Sequence, residues 1–190
     1  MMAIKTHFHY LFTFLLVVSL YSCSKTKKTV VFDNPSNQHL KISSPNFEDF
    51  ELAAESKKEV EVTFGKFEMK VNDKVHKVRL NPDKEYLINP SMERYYIQSL
   101  LYLFHPRGLE QYEREYGDLK SLVEGKEVKG EYERLDSMLV IPKTWTFGLD
   151  EIPTQTGQNF QKHTYDYFRV RKIHRASDLS RSMIFNFLLE

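Results

Sequence analysis

The feature that most constrains the fold is an alternation of apolar and polar residues between positions 59 and 80. Successive side chains of a β-strand point to opposite faces of the sheet, so a period of two predicts strands with one buried face. Gly65-Lys66 and Asn72-Asp73-Lys74 interrupt the alternation, as turns between neighbouring antiparallel strands do. The predicted inward-facing residues are Val60, Val62, Phe64, Phe67, Met69, Val71, Val78 and Leu80.

Short strand-like segments separated by turn clusters run from residue 29 to residue 104. Thr29–Asp33 is followed by the turn cluster Asn34-Pro35-Ser36-Asn37, and Tyr95–Phe104 is nearly all apolar. The latter fits a buried strand or a buried helix, because an apolar run has no period that separates the two. Several short strands at close spacing predict that residues 29–104 form an antiparallel β-sandwich-like domain.

Residues 105–190 show a mixed pattern. After a predicted break at His105-Pro106, apolar residues recur at helical steps across 109–124, and Gly125 stands where a helix cap would be. Ser177 is the predicted cap of a second, C-terminal helix. The predicted apolar faces are Leu109, Tyr112, Tyr116, Leu119 and Val123, and Leu179, Met183, Ile184, Phe187 and Leu188. We expect the first helix to pack on its own sheet; a partner-binding helix is the alternative.

These patterns together predict an α+β fold. The N-terminal half is an antiparallel β-sandwich-like domain, and the smaller second half, residues 105–190, is an α+β region with an amphipathic helix and a C-terminal helix.

The first residues have the order of a secretory signal. Tyr10–Leu20 is an uncharged, mostly apolar run of 11 residues, and Lys5 precedes it. A helix that spans a bilayer needs about 20 apolar residues, so this run is too short to span but has the length of a signal-peptide core. We expect residues 1–22 to be a signal peptide; a buried N-terminal helix is the alternative.

The end of this segment resembles the lipobox of bacterial lipoproteins. Leu20-Tyr21-Ser22-Cys23 has the aliphatic residue and the cysteine at the right spacing, although Tyr21 is larger than the usual small residue, and Cys23 is the single cysteine of the chain. The resemblance implies that Cys23 becomes the first mature residue. It would carry acyl chains such as palmitate on its sulfur and amine, which anchor the protein to a membrane. Residues 23–28 then form a lipidated tether.

The residues after the cysteine indicate where in the cell envelope the protein is sorted. Ser24 resembles the outer-membrane sorting pattern of enteric lipoproteins, and the Cys-Ser-Lys start resembles uncharacterised small lipoproteins of Bacteroidota-type bacteria. In those lipoproteins surface export is associated with acidic residues after the cysteine, whereas Lys25, Lys27 and Lys28 are basic. The resemblance therefore implies a lipid anchor in the cell envelope, in the outer membrane and facing the periplasm.

The sequence carries no motif for catalysis, a cofactor or a metal. It lacks G-x-S-x-G, a P-loop, G-x-G-x-x-G and H-E-x-x-H, and one cysteine excludes a multi-cysteine metal site. The 27 basic and 26 acidic residues give a net charge of +1, without the basic excess of a nucleic-acid binder. We expect a protein that is not an enzyme, with no cofactor, no metal and no nucleic-acid partner.

The candidate ligand surface combines aromatic and acidic residues. Trp145 lies just before a turn that contains Asp150 and Glu151, and a carboxylate beside an aromatic ring suits opposite sides of a pyranose. Tyrosine is enriched at interfaces, which adds Tyr165 and Tyr167 to the surface.

The expected function is a non-enzymatic binding or scaffold role at the envelope, with an envelope protein or a glycan as partner. The first alternative is a secreted glycan hydrolase, which needs two carboxyl groups at a defined separation. The second is an immunity-type lipoprotein that neutralises an incoming toxin.

Lipidation at Cys23 is directly testable. In a bacterial host, the wild-type chain should fractionate with membranes and carry an acyl mass, because several acyl chains give stable anchoring. Cys23→Ala should move to the soluble fraction and lose that mass, as measured by fractionation and intact-protein mass spectrometry. An unmodified wild-type chain, or a variant that stays in the membrane pellet, would contradict the anchor.

Overall fold

The computed structural model describes residues 26–103, 110, 113–114, 117–153 and 167–180. In this part of the chain the backbone forms thirteen strands in four sheets. A short helix at 176–180 follows the last strand. No helix in the described ranges is long and apolar enough to cross a membrane.

The central sheet has the strand order β12-β7-β1-β4. Its strands are β1 (Lys27–Asn34), β4 (Ser56–Thr63), β7 (Tyr86–Ile88) and β12 (Val140–Pro142). β1 pairs antiparallel with β4 along its whole length and parallel with β7. β12, from the second half of the chain, pairs antiparallel with β7.

The front sheet has the order β3-β2-β5-β6 and covers one face of the central sheet. Its strands are β2 (Leu40–Ser44), β3 (Phe47–Leu52), β5 (Gly65–Val71) and β6 (Lys74–Leu80). The alternation predicted at 67–71 corresponds to β5, in which Phe67, Met69 and Val71 are buried. The core between the two sheets is formed by Val30, Phe32, Val62 and Ile88 on one side and Leu40, Ile42, Leu52, Phe67, Met69, Val71, Val78 and Leu80 on the other.

The back sheet, with the order β11-β8-β13, covers the opposite face of the central sheet. Its strands are β8 (Tyr95–Leu103), β11 (Tyr132–Leu135) and β13 (Tyr167–Arg175). β8 ends the predicted β-rich domain, yet both of its partner strands belong to the second half of the chain. The core between central and back sheets contains Leu87, Tyr95, Ile97, Ile141 and Ile173.

A hairpin and the short helix pack on the outer face of the back sheet. The hairpin consists of β9 (Lys120–Val123) and β10 (Lys126–Lys129), and a small core of Tyr96, Val123 and Leu179 joins it to the sheet and helix. Glu124 in its turn accepts hydrogen bonds from Arg94 Nη1 at 2.6 Å and from the Tyr96 hydroxyl at 2.9 Å. These bonds fix the hairpin to β8 and to the loop before it.

The expected α+β fold is wrong, since the described part of the second half is built mainly from strands. The predicted helix over 109–124 is replaced in its last turn by β9. Glu124 and Gly125 have φ angles of 49° and 79°, the positive pair that a two-residue hairpin turn requires. Gly125 therefore supplies a left-handed conformation to a hairpin, where the sequence pattern had suggested a helix cap.

Other residues of the predicted helices are only partly described. Glu110, Glu113 and Arg114 are helical, Tyr112 and Tyr116 lie outside the described residues, and Leu119 is exposed. Of the predicted C-terminal helix, residues 176–180 are described and helical, and Leu179 is buried. The lipobox, including Cys23, also lies outside the described residues.

A buried carboxylate connects the central and back sheets. Asp33, fully buried at the end of β1, accepts hydrogen bonds from the Tyr95 hydroxyl at 2.5 Å and from Arg175 Nε at 2.9 Å. Arg175 Nη2 also donates to the second carboxylate oxygen, which makes the arginine contact bidentate. Burial raises the pKa of Tyr95, and the hydrogen bond to Asp33 raises the pKa of Arg175, so both remain protonated donors.

Candidate functional site

A groove of about 360 Å³ opens on the side of the central sheet that faces the back sheet. Its floor contains Thr29 and Val31 from β1, Leu87 from β7 and Ile173 from β13. The segment 145–151 lies along it and contributes Trp145. The volume falls in the range of small-molecule sites, which combine an apolar lining with a few polar groups.

Backbone hydrogen bonds place Trp145 beside the groove. The N–H groups of Thr146 and Phe147 donate to the Arg171 carbonyl at 2.8 and 3.0 Å, and Ile173 donates to the Phe147 carbonyl at 3.2 Å. This segment therefore extends the edge of the back sheet next to β13. Trp145 packs partly on the core between the central and back sheets and remains partly exposed in the groove.

Lys172 fixes the turn that follows Trp145. Its ammonium donates to the carbonyls of Gly148 at 3.0 Å and Leu149 at 3.3 Å, and also to that of Glu151. The Glu151 carboxylate accepts the Gly148 N–H at 2.6 Å and closes the turn from the other side. Burial lowers the pKa of Lys172, and the nearby carboxylates of Glu151 and Asp150 oppose that shift.

Two ion pairs stand on opposite sides of the groove. Lys57 on β4 lies 2.5 Å from Asp150, and Lys143 after β12 lies 2.6 Å from Glu85. The hydrogen bond from Lys57 lowers the pKa of Asp150, and the hydrogen bond from Lys143 lowers that of Glu85. Both carboxyl groups are therefore anions at neutral pH, suited to accept hydrogen bonds.

Three of the five predicted ligand residues meet at this groove. Trp145, Asp150 and Glu151 all line it, with Asp150 engaged by Lys57 and Glu151 engaged by its own turn. Tyr165 lies outside the described residues. Tyr167 begins β13 opposite Leu103, six residues from the groove residue Ile173, which is about 20 Å along a strand.

The sequence pattern missed the basic residues and two further acids of the groove. Lys57 and Glu59 come from β4, and Glu85 and Lys143 flank β7 and β12. Lys172 on β13 holds the turn beside the groove. Strand pairing between distant segments brings them together, and no local spacing marks that pairing. The alternation in β4 is the one signal present, because it places Lys57 and Glu59 on the same face.

The comparisons add no relative. No protein family, no curated protein and no solved structure matches this chain. Within the described ranges, no three histidine, cysteine or acidic side chains are grouped so as to hold a metal ion. We therefore infer the function from the residues of the groove itself.

The role of Lys172 in the turn gives a prediction. Lys172→Met removes the donor shared by three carbonyls, so we expect a loss of roughly 1 to 3 kcal/mol in the free energy of unfolding. Trp145, the single tryptophan of the chain, should also become more solvated, with a red-shifted emission. Urea unfolding and intrinsic fluorescence measure the two effects.

Lys143→Met is the matched control. Lys143 lines the groove, but its pair with Glu85 is exposed and should contribute less than about 1 kcal/mol. Equal effects of the two substitutions on stability and emission would show that Lys172 does not hold the turn.

Proposed function

We propose that this chain is a lipid-anchored protein of the bacterial cell envelope that binds a saccharide in the Trp145 groove without changing it chemically. The observation that carries the proposal is the position of a partly exposed Trp145 above a floor that includes Val31, Leu87 and Ile173, between two lysine–carboxylate pairs. The anchor rests on the lipobox resemblance at Leu20–Cys23.

The short distance between the cysteine and the first strand fits an anchored domain. β1 begins at Lys27, four residues after Cys23, so the connecting chain spans at most about 14 Å. Lys27 and Lys28 are both exposed at this end of β1. Each lysine near an anionic membrane surface adds about 1 kcal/mol of attraction. An acylated Cys23 would therefore hold this end of the domain close to the lipid headgroups.

The groove has the chemical character of a saccharide site. A pyranose has one apolar face of C–H groups, which suits an indole ring, and a rim of hydroxyls, which suits charged hydrogen-bonding groups. The carboxylates of Asp150 and Glu85 accept such hydrogen bonds, and Lys57 and Lys143 donate them. Charge-assisted hydrogen bonds of this kind are about twice as strong as neutral ones, which favours recognition of a polyhydroxylated ligand.

The same groups favour binding over hydrolysis. A glycosidase needs a carboxylic acid that stays protonated until it reaches the substrate, and such an acid has a raised pKa. The pKa values of Asp150 and Glu85 are lowered by their lysine partners. Glu151 is hydrogen-bonded to the backbone of its own turn. A binding role therefore accounts for these side chains better than the hydrolase alternative does.

The single tryptophan makes the proposal testable without a label. Soluble peptidoglycan fragments and neutral oligosaccharides, titrated into the wild-type chain, should change Trp145 emission with saturation for at least one saccharide. Trp145→Ala should weaken that binding by roughly tenfold or more in calorimetry, because stacking on a large aromatic is lost. The saccharide should be recovered unchanged.

Val75→Ala, at an exposed position on β6 in the front sheet, is the control and should bind as the wild type does. Absence of saturable binding to any saccharide would contradict the proposal. Turnover that disappears in both Asp150→Asn and Glu151→Gln, with folding intact, would support the hydrolase instead.

A further inference from the structure

The outer edge of β4 is an open sheet edge in the described structure. β4 is the last strand of the central sheet and pairs with β1 alone. An open edge presents unpaired N–H and C=O groups to which another extended chain can bind. The backbone hydrogen bonds at the end of β4 determine which of its N–H and C=O groups face outward.

Two hydrogen bonds fix that direction. Phe64 N–H donates inward to the Thr26 carbonyl at 2.9 Å, whereas Thr63 N–H donates outward to the Asn46 carbonyl at 3.0 Å. Backbone groups alternate in direction along an antiparallel strand, so Lys57, Glu59 and Glu61 also point their N–H and C=O groups outward. No hydrogen-bond partner for these groups occurs in the described ranges.

A groove lies on each side of this edge. The Trp145 groove includes Lys57 and Glu59, and a second groove of about 630 Å³ lies between β3 and β4. Phe47, Phe50 and Val60 give the second groove an apolar lining. The side chains of an added strand would alternate between the two grooves, as in other cases of strand addition.

The acidic character of the β3–β4 groove determines which kind of peptide strand fits it. Glu48, Asp49, Glu59 and Glu61 line it, against Lys27 and Lys58. Lys27 pairs with Glu61 at 3.3 Å, and the Lys58 ammonium lies 4.7 Å from the centre of the Phe50 ring. Within the described residues, Glu48, Asp49 and Glu59 have no cationic side chain at ion-pair distance. The groove is therefore suited to basic side chains.

We propose that the outer edge of β4 binds an extended peptide segment with basic residues at alternate positions. The backbone of Lys57, Glu59 and Glu61 would pair with the peptide, and the carboxylates of Glu48, Asp49 and Glu59 would contact its basic side chains. Charged side chains on a sheet edge prevent pairing with most other strands. The acidic side chains beside β4 still allow pairing with a strand of opposite charge. A second copy of this edge fits less well, because it would bring Glu48 and Asp49 of its own β3 against the same acids.

The test uses the full chain and a short fluorescent peptide of alternating lysine and valine. Fluorescence anisotropy should show saturable binding, and a peptide with glutamate in place of lysine should not bind. Glu59→Pro removes one outward N–H while keeping the ladder to β1, a substitution that edge strands tolerate. It should weaken binding about tenfold, whereas Glu59→Gln, which loses the charge alone, should weaken it about threefold.

A second measurement does not depend on any variant. Addition of the lysine peptide to the wild-type chain should slow amide hydrogen exchange at Lys57, Glu59 and Glu61. Unchanged exchange, equal binding of the acidic peptide, or wild-type affinity in a folded Glu59→Pro chain would each overturn the proposal. So would a peptide-free dimer that Glu59→Pro dissociates, because the edge would then serve self-association. These outcomes do not depend on saccharide binding at Trp145.

Discussion

The buried carboxylate of Asp33 is the contact on which the arrangement of the sheets depends. An ionised carboxylate inside a protein is strongly unfavourable unless charged and hydrogen-bonding partners compensate it. Here the partners, Tyr95 and Arg175, lie at the facing ends of β8 and β13, while Asp33 is the penultimate residue of β1. A shift of either sheet would separate the carboxylate from its donors, so the cluster selects one position of the back sheet on the central sheet.

That position in turn determines the Trp145 groove. Arg175 ends the same strand that carries Arg171, Lys172 and Ile173. The carbonyl of Arg171 holds Thr146 and Phe147, Lys172 holds the next turn, and Ile173 lies in the groove floor. Floor residues from β1 and β7 belong to the central sheet, so the groove exists only where the two sheets meet in this alignment.

Local patterns predicted the strands better than the overall fold. The alternation of β5 and β6 was readable because one face of each strand is buried and the other is solvated. Tyr95–Phe104 was ambiguous because the start of β8 lies between two packed layers, with Tyr95 and Ile97 in one core and Tyr96 in the other. The helix predicted over 109–124 is wrong at β9. Gly125 misled the prediction, because a glycine with positive φ serves equally in a helix cap and in a hairpin turn.

Part of the candidate site was also predictable. Trp145, Asp150 and Glu151 are close in sequence, so their proximity in space could be predicted from the sequence alone. Lys57 and Lys172 reach the same place through strand pairing between distant segments, which no local pattern encodes. The same holds for Asp33, which carries no mark in the sequence that distinguishes it from a surface carboxylate.

A double-mutant cycle between Asp33 and Arg175 tests the central claim most directly. Asp33→Asn and Arg175→Met should each lower the free energy of urea unfolding by about 3 to 5 kcal/mol, because each leaves a buried group without its charged partner. The double variant should be more stable than the sum of the two losses predicts, with a coupling of roughly 2 kcal/mol or more. Losses that add to within about 0.5 kcal/mol would show that the two side chains act independently and that this contact does not align the sheets.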